Sequence, residues 1–216
     1  LLHEAQVAFV ELALCQALGW AGLLREALAA NDEVVAGVPL VSAFDRDFIG
    51  FDVERWALAL RVRLLCRSGR LRDAQTCLQR LKLLARAESD PVILQMVRAG
   101  AMELDAATGR LDGVNAAIAE MARVSTLDSG TYLQVAYDYF RGLGDFASKR
   151  FAAALACFQR GLLTLRATRV AMDFEADLLA AIAETQWALG DGVEARAAAL
   201  EALRMARQRS HRVAEC

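Results

Sequence analysis

Four places along the chain repeat one short phrase at almost one interval. Each consists of the end of an apolar helical pattern, a turn, and a small or apolar residue five positions later. Three copies read Leu65-Cys66-Arg67-Ser68-Gly69-Arg70-Leu71-Arg72-Asp73-Ala74, Ala107-Thr108-Gly109-Arg110-Leu111-Asp112-Gly113-Val114 and Ala188-Leu189-Gly190-Asp191-Gly192-Val193-Glu194-Ala195. A degenerate copy, Lys149-Arg150-Phe151-Ala152-Ala153-Ala154, keeps only the second half. The turn positions 69, 109, 149 and 190 lie 40, 40 and 41 residues apart. A fixed period in this range signals helical hairpins repeated in series, because one hairpin cannot bury its apolar face alone.

Composition agrees with an all-α fold. Of the 216 residues, 56% are hydrophobic and only two are proline, Pro39 and Pro91. Ala, Leu, Arg and Glu dominate, and these side chains lose little rotamer freedom in a helix. No segment alternates apolar and polar residues long enough to argue for a sheet. The patterns predict helices over 4–18 and 23–36 around a turn at Gly19-Trp20-Ala21-Gly22. A stretch with Gly37 and Pro39 follows, and we read 37–51 as an irregular linker. The interval from Gly19 to Gly69 is 50 residues, ten above the usual spacing, and the excess falls in that linker. Asp52 is the expected N-cap of a third helix, and Asp90-Pro91 reads as an N-cap followed by proline at the first helical position. Further helices are expected from 91 to Thr108, 112 to 123, 131 onward, 149 to 166, 173 to 189 and 193 to 208.

The second helix of each hairpin carries a small residue, an apolar one four later and a third three further on, all on one helical face. The triples are Ala74-Leu78-Leu81, Val114-Ile118-Met121, Ala154-Phe158-Gly161 and Ala195-Ala199-Ala202. On the preceding helices, Leu179-Ile182-Ala183 fits the matching pattern and Gly142 fits its small position, whereas Asp138 and Arg141 fit poorly. With these features residues 52–210 resemble four tetratricopeptide repeats, and 4–36 a weaker first copy. The period near 40 resembles the long-helix variety found in LuxR-type and maltose-operon-type activators and in cyclase-linked regulatory ATPases. The resemblance implies a right-handed α-solenoid of about five antiparallel hairpins, 1–216, cut from a bacterial cytoplasmic regulator. It also implies that the module binds a protein, a peptide or a small inducer, in signal transduction or transcriptional control.

The same resemblance places a concave, partner-binding face on the first helix of each pair. In the second unit it assigns Trp56, Arg63 and Arg67 to that face, and in the third Met96 and Glu103. In the fourth it assigns Tyr139 and Phe146, and in the fifth Asp177, Glu184 and Trp187. Apolar anchors ringed by charge suit a peptide or helix ligand. The competing reading puts Tyr139, Phe146 and Trp187 in the core between repeats.

Signals for chemistry are sparse. The histidines are His3 and His211, one at each end, so histidine-rich metal sites and histidine-dependent triads are not expected. Asp45-Arg46-Asp47-Phe48-Ile49-Gly50 fails as a calcium loop at Ile49 and at Trp56, where the twelfth ligand belongs. Arg141-Gly142-Leu143-Gly144-Asp145 lacks the lysine and hydroxyl ending of a phosphate loop, so close helix packing or a helix break is expected there. Glu103, Glu120 and Glu184 read as members of solvated faces. No cofactor or metal is expected.

The formal net charge of −2, with both signs interspersed, argues against direct nucleic-acid binding. Arg204, Arg207, Arg209 and Arg212 read as a solvated last helix whose cations favour its C-terminal end. The only lysines, Lys82 and Lys149, point to a GC-rich coding sequence rather than to a function. Five scattered cysteines argue against a disulfide framework and fit a reducing compartment. No apolar run reaches the roughly 18 residues needed to span a membrane, and no signal peptide is visible. Starting at Leu1 and ending in a helical pattern, the chain reads as a fragment whose uncapped ends also allow self-association. An enzyme built in a helical bundle would need clustered titratable groups, which the sequence does not show.

Overall fold

A computed structural model describes residues 4–42, 52–87, 90–125 and 130–208. Among them are ten α-helices and no strand, so the fold is all-α. The chain divides into two compact units, Leu1–Thr108 and Gly109–Cys216. The first holds α1 (Glu4–Trp20), α2 (Leu24–Gly37), α3 (Val53–Arg67), α4 (Leu71–Leu84) and α5 (Pro91–Ala107). The second holds α6 (Leu111–Ser125), α7 (Thr131–Ala147), α8 (Phe151–Thr168), α9 (Glu175–Leu189) and α10 (Gly192–Gln208). Within each unit, helices pack mainly on their neighbours in sequence: α1 on α2, α2 on α3, α3 on α4 and α5, then α6 on α7, α7 on α8, α8 on α9 and α9 on α10.

Helix starts follow the expected caps. The Asp52 carboxylate accepts from the Arg55 N–H at 2.9 Å, and that of Asp90 accepts from the Val92 N–H at 2.8 Å, ahead of Pro91. These bonds satisfy amides that have no partner within the helix. The stretch 37–51 is irregular where it is described: Gly37 ends α2, Val38–Leu40 forms a single 3-10 turn, and Val41 is extended and buried. The calcium-like stretch 45–50, both histidines, Arg209, Arg212 and Cys216 lie outside the described residues.

The recurring turn has one geometry. Gly69, Gly109 and Gly190 have φ of +72°, +73° and +91°. Lys149, in the degenerate copy, adopts the same left-handed region at +59°. At position 69 the Arg70 N–H reaches the Leu65 carbonyl and the Gly69 N–H reaches that of Cys66, and at 149 Arg150 reaches Asp145 and Lys149 reaches Phe146. This paired closure satisfies the last carbonyls of the first helix and reverses the chain. It also corrects the first hairpin. The left-handed residue is Gly22, with φ +72°, and Gly19 lies inside α1, where a Cβ would sit 3.1 Å from Leu64. The interval to Gly69 is therefore 69 − 22 = 47 residues, an excess of seven rather than ten.

The face of the second helices matches the sequence triples. Ala74, Val114 and Ala154 are fully buried, with Leu81, Met121, Phe158 and Ala202 beside them in the cores. The exception is Ala199, which is exposed on α10 although its counterpart Phe158 is buried. Gly142 and Gly144 sit inside a continuous α7, so close packing, not a helix break, explains them. A Cβ on Gly142 would meet the Phe158 ring at 2.3 Å, and one on Gly144 would meet Ile118 at 2.2 Å.

Lys149→Gly should stabilise the protein by about 1 kcal/mol, because a left-handed lysine carries a strain that glycine lacks. Urea denaturation followed by circular dichroism measures it; a destabilised variant would show that Lys149 makes compensating contacts.

Candidate functional site

The ten residues expected on a binding face divide between the two units. In the first, Arg63 on α3 and Glu103 on α5 meet: Arg63 Nε donates to Glu103 Oε1 at 3.0 Å, with both side chains under one-fifth exposed. Glu103 is therefore not on a solvated face, as its sequence context suggests, but paired across two helices. Trp56 is half-buried and donates its indole N–H to Gln16 Oε1 at 3.3 Å. Met96 packs against the core, and Arg67 is half-buried at the end of α3. Burial, helped by the Glu103 carboxylate, pushes the Cys66 thiol up to about 12, and burial holds Cys77 at about 11. Both are neutral thiols at ordinary pH and poor nucleophiles. This face is a half-buried, internally paired surface.

In the second unit Tyr139 is core. It is 7% exposed, with ring centroids 5.2 Å from both Phe140 and Phe174 and 6.3 Å from Phe158. Such tilted and edge contacts suit aromatic quadrupoles. Phe146 is half-buried with its ring edge-on to Phe151 at 5.3 Å. These two aromatics thus belong to packing, as the competing reading has it.

Beside them lies a polar network that the sequence pattern did not single out. The Asp138 side chain on α7 is fully buried, and Arg160 on α8 grips it with Nη2 at 2.6 Å and Nε at 3.1 Å from Oδ1. That hydrogen bonding raises the Arg160 pKa further, fixing it as a cation. One turn pair along α7, Asp145 accepts from Arg150 Nε at 2.9 Å, with Arg141 at 3.7 Å. Cys157 lies 4.0 Å from Asp145, and burial raises its thiol pKa. Each carboxylate is matched by guanidinium, so the network fixes α7 against α8. The two mismatches at Asp138 and Arg141 were the available signal: a carboxylate at an apolar position, with arginines available on the next helix.

The outer stripe of α9 is different. Asp177, Ala180, Glu184 and Trp187 follow at i, i+3, i+7 and i+10, so they share one face, and Asp191 follows in the turn beyond Gly190. Asp177 is half-buried and Glu184 exposed, and Trp187 is 75% exposed. The indole extends toward the next turn, where a Cβ on Gly192 would lie 3.9 Å from its ring. Leu189, Val193 and Leu200 in the same hairpin are also exposed. The N-terminus of α10 accounts for Asp191 and Glu194, since carboxylates there meet the positive end of the helix dipole. It does not account for Trp187, whose exposure forgoes on the order of 2 kcal/mol of burial. Among the described residues no group of His, Cys, Asp and Glu is arranged to hold a metal ion, and no helix is long and apolar enough to cross a membrane. No protein-family model matches the chain, and no curated protein is significantly similar to it.

Arg160→Met should cost about 3–5 kcal/mol, because it leaves the buried Asp138 carboxylate without its cation. The double variant Asp138→Leu/Arg160→Met should recover most of that loss, since position 179, 41 residues on from 138, is a buried leucine. Urea midpoints of the two single variants and the double variant test this; a double variant no better than Arg160→Met would refute the assignment.

Proposed function

We propose that this chain is a non-catalytic binding module of the tetratricopeptide type, part of a bacterial cytoplasmic signalling or transcriptional regulator. Its partner is a protein or peptide, or a small inducer. The observation that carries the reading is Trp187, a large aromatic held out in water on a helix whose hairpin also exposes Leu189, Val193 and Leu200. Exposed apolar groups on a rigid scaffold, with charges at their rim, are the usual anchors of a protein interface. The 40-residue period and the helix-on-neighbour packing within each unit support the repeat type. Four free thiols among the described residues support a reducing compartment.

A second reading, self-association, has its own observation. Val7, Val10 and Leu14 form one stripe on α1 and are 44%, 57% and 44% exposed. Light scattering over a hundredfold range of concentration separates the readings, since a strict monomer removes the second.

The primary reading is tested by photo-crosslinking in the native host, with p-benzoylphenylalanine placed at Trp187 or, as a control, at Leu163, which is 71% exposed on α8. Position 187 should give a discrete adduct and position 163 none. Equal labelling, or none at 187, would reject the α9 stripe as the binding face.

A further inference from the structure

Charge is distributed unevenly around Trp187. Between Ala171 and Ala195 the sequence holds six acidic residues and no basic one, in a chain whose net charge is only −2. Glu175 and Asp173 are engaged at one end of the stretch. Glu175 is buried and accepts from Arg166 Nε at 3.0 Å, and Asp173 lies 3.5 Å from the Tyr132 hydroxyl. The exposed carboxylates of Glu184, Asp191 and Glu194 bracket the indole in sequence; Glu184 shares its face of α9, and Asp191 lies in the turn just past Gly190. The helix dipole explains the last two but contributes nothing at Glu184, in the middle of α9.

Resting on the reading of the α9 stripe as the binding face, we infer that its occupant is a cationic amphipathic segment of a protein partner, with arginine or lysine over the Trp187 ring and against Glu184 and Asp191. An indole face attracts guanidinium through its quadrupole. The flanking carboxylates supply matching charge, and the exposed Leu189 and Val193 receive aliphatic side chains of the same segment. An anionic or phosphorylated partner would meet like charge along the whole stripe. The area is small and polar at its rim, which fits a reversible contact that depends on ionic strength.

The test uses the full chain with 5-fluorotryptophan, whose three ¹⁹F signals report on Trp20, Trp56 and Trp187; Trp187→Phe assigns the last. The probe is an 18-residue helix-forming peptide of Leu, Ala and Arg, compared with the same peptide carrying Gln for Arg. The Arg peptide should shift the Trp187 signal alone. Its affinity should fall at least about tenfold between 50 and 500 mM salt. Glu184→Gln and Asp191→Asn should each weaken it about twofold to fivefold without changing the circular dichroism spectrum. If the Gln peptide binds equally well, the cationic partner is wrong while the binding face stands. If neither peptide moves the Trp187 signal, both readings fall. Concentration-dependent association of the free chain that Trp187→Ala removes would assign the stripe to a second copy and overturn the inference.

Discussion

The distance at which the two helices of a hairpin cross decides what each position along them can hold. In the α7–α8 hairpin the axes come so close that a single methyl group at Gly142 would lie inside the Phe158 ring. The small residue on one helix and the large one on the other are therefore a matched pair. The buried positions 154, 158 and 161 on α8 follow from it, because they lie on the only strip of that helix facing α7. The turn geometry follows too. A helix pair this close leaves room only for a short reversal, and the left-handed closure at 149 supplies it even without glycine.

Much of this was legible in the sequence because the determinants are local or periodic. The N-caps at Asp52 and Asp90, the turn positions 69, 109, 149 and 190, and the buried faces of α4, α6 and α8 each depend on residues within one or two helical turns. The first hairpin was less legible because it offers two glycines, Gly19 and Gly22, and only the backbone dihedral tells the turn residue from the packing residue. The polar interior of the second unit is legible only as the mismatches at Asp138 and Arg141, not as a pairing. Asp138 and Arg160 are 22 residues apart, and no local rule says that a carboxylate at an apolar position will find a guanidinium there. Glu103 repeats the lesson, since its partner Arg63 is 40 residues away.

The candidate site was half legible, for a related reason. Helical spacing places a residue on a face but does not say whether a neighbouring helix covers that face. The repeat resemblance places Tyr139 and Trp187 alike on the concave face, yet Tyr139 is enclosed by Phe140, Phe158 and Phe174, while the indole of Trp187 stands in water. The counterpart of Trp187 one period earlier is Phe146, which rests against Phe151. At the corresponding place on α10 the residue is Gly192, which has no side chain to offer. Where Phe146 has the Phe151 ring to rest against, Trp187 has none.

Hairpins that share a backbone plan face a hazard during folding, because any first helix could dock on any second one. Asp138 removes one such error. If α7 closed on α10 instead of α8, the place of Arg160 would be taken by Glu201, 41 residues on, and the buried Asp138 would face a second carboxylate where it needs a cation. The buried acid thereby serves as an address, directing α7 to one helix among lookalikes.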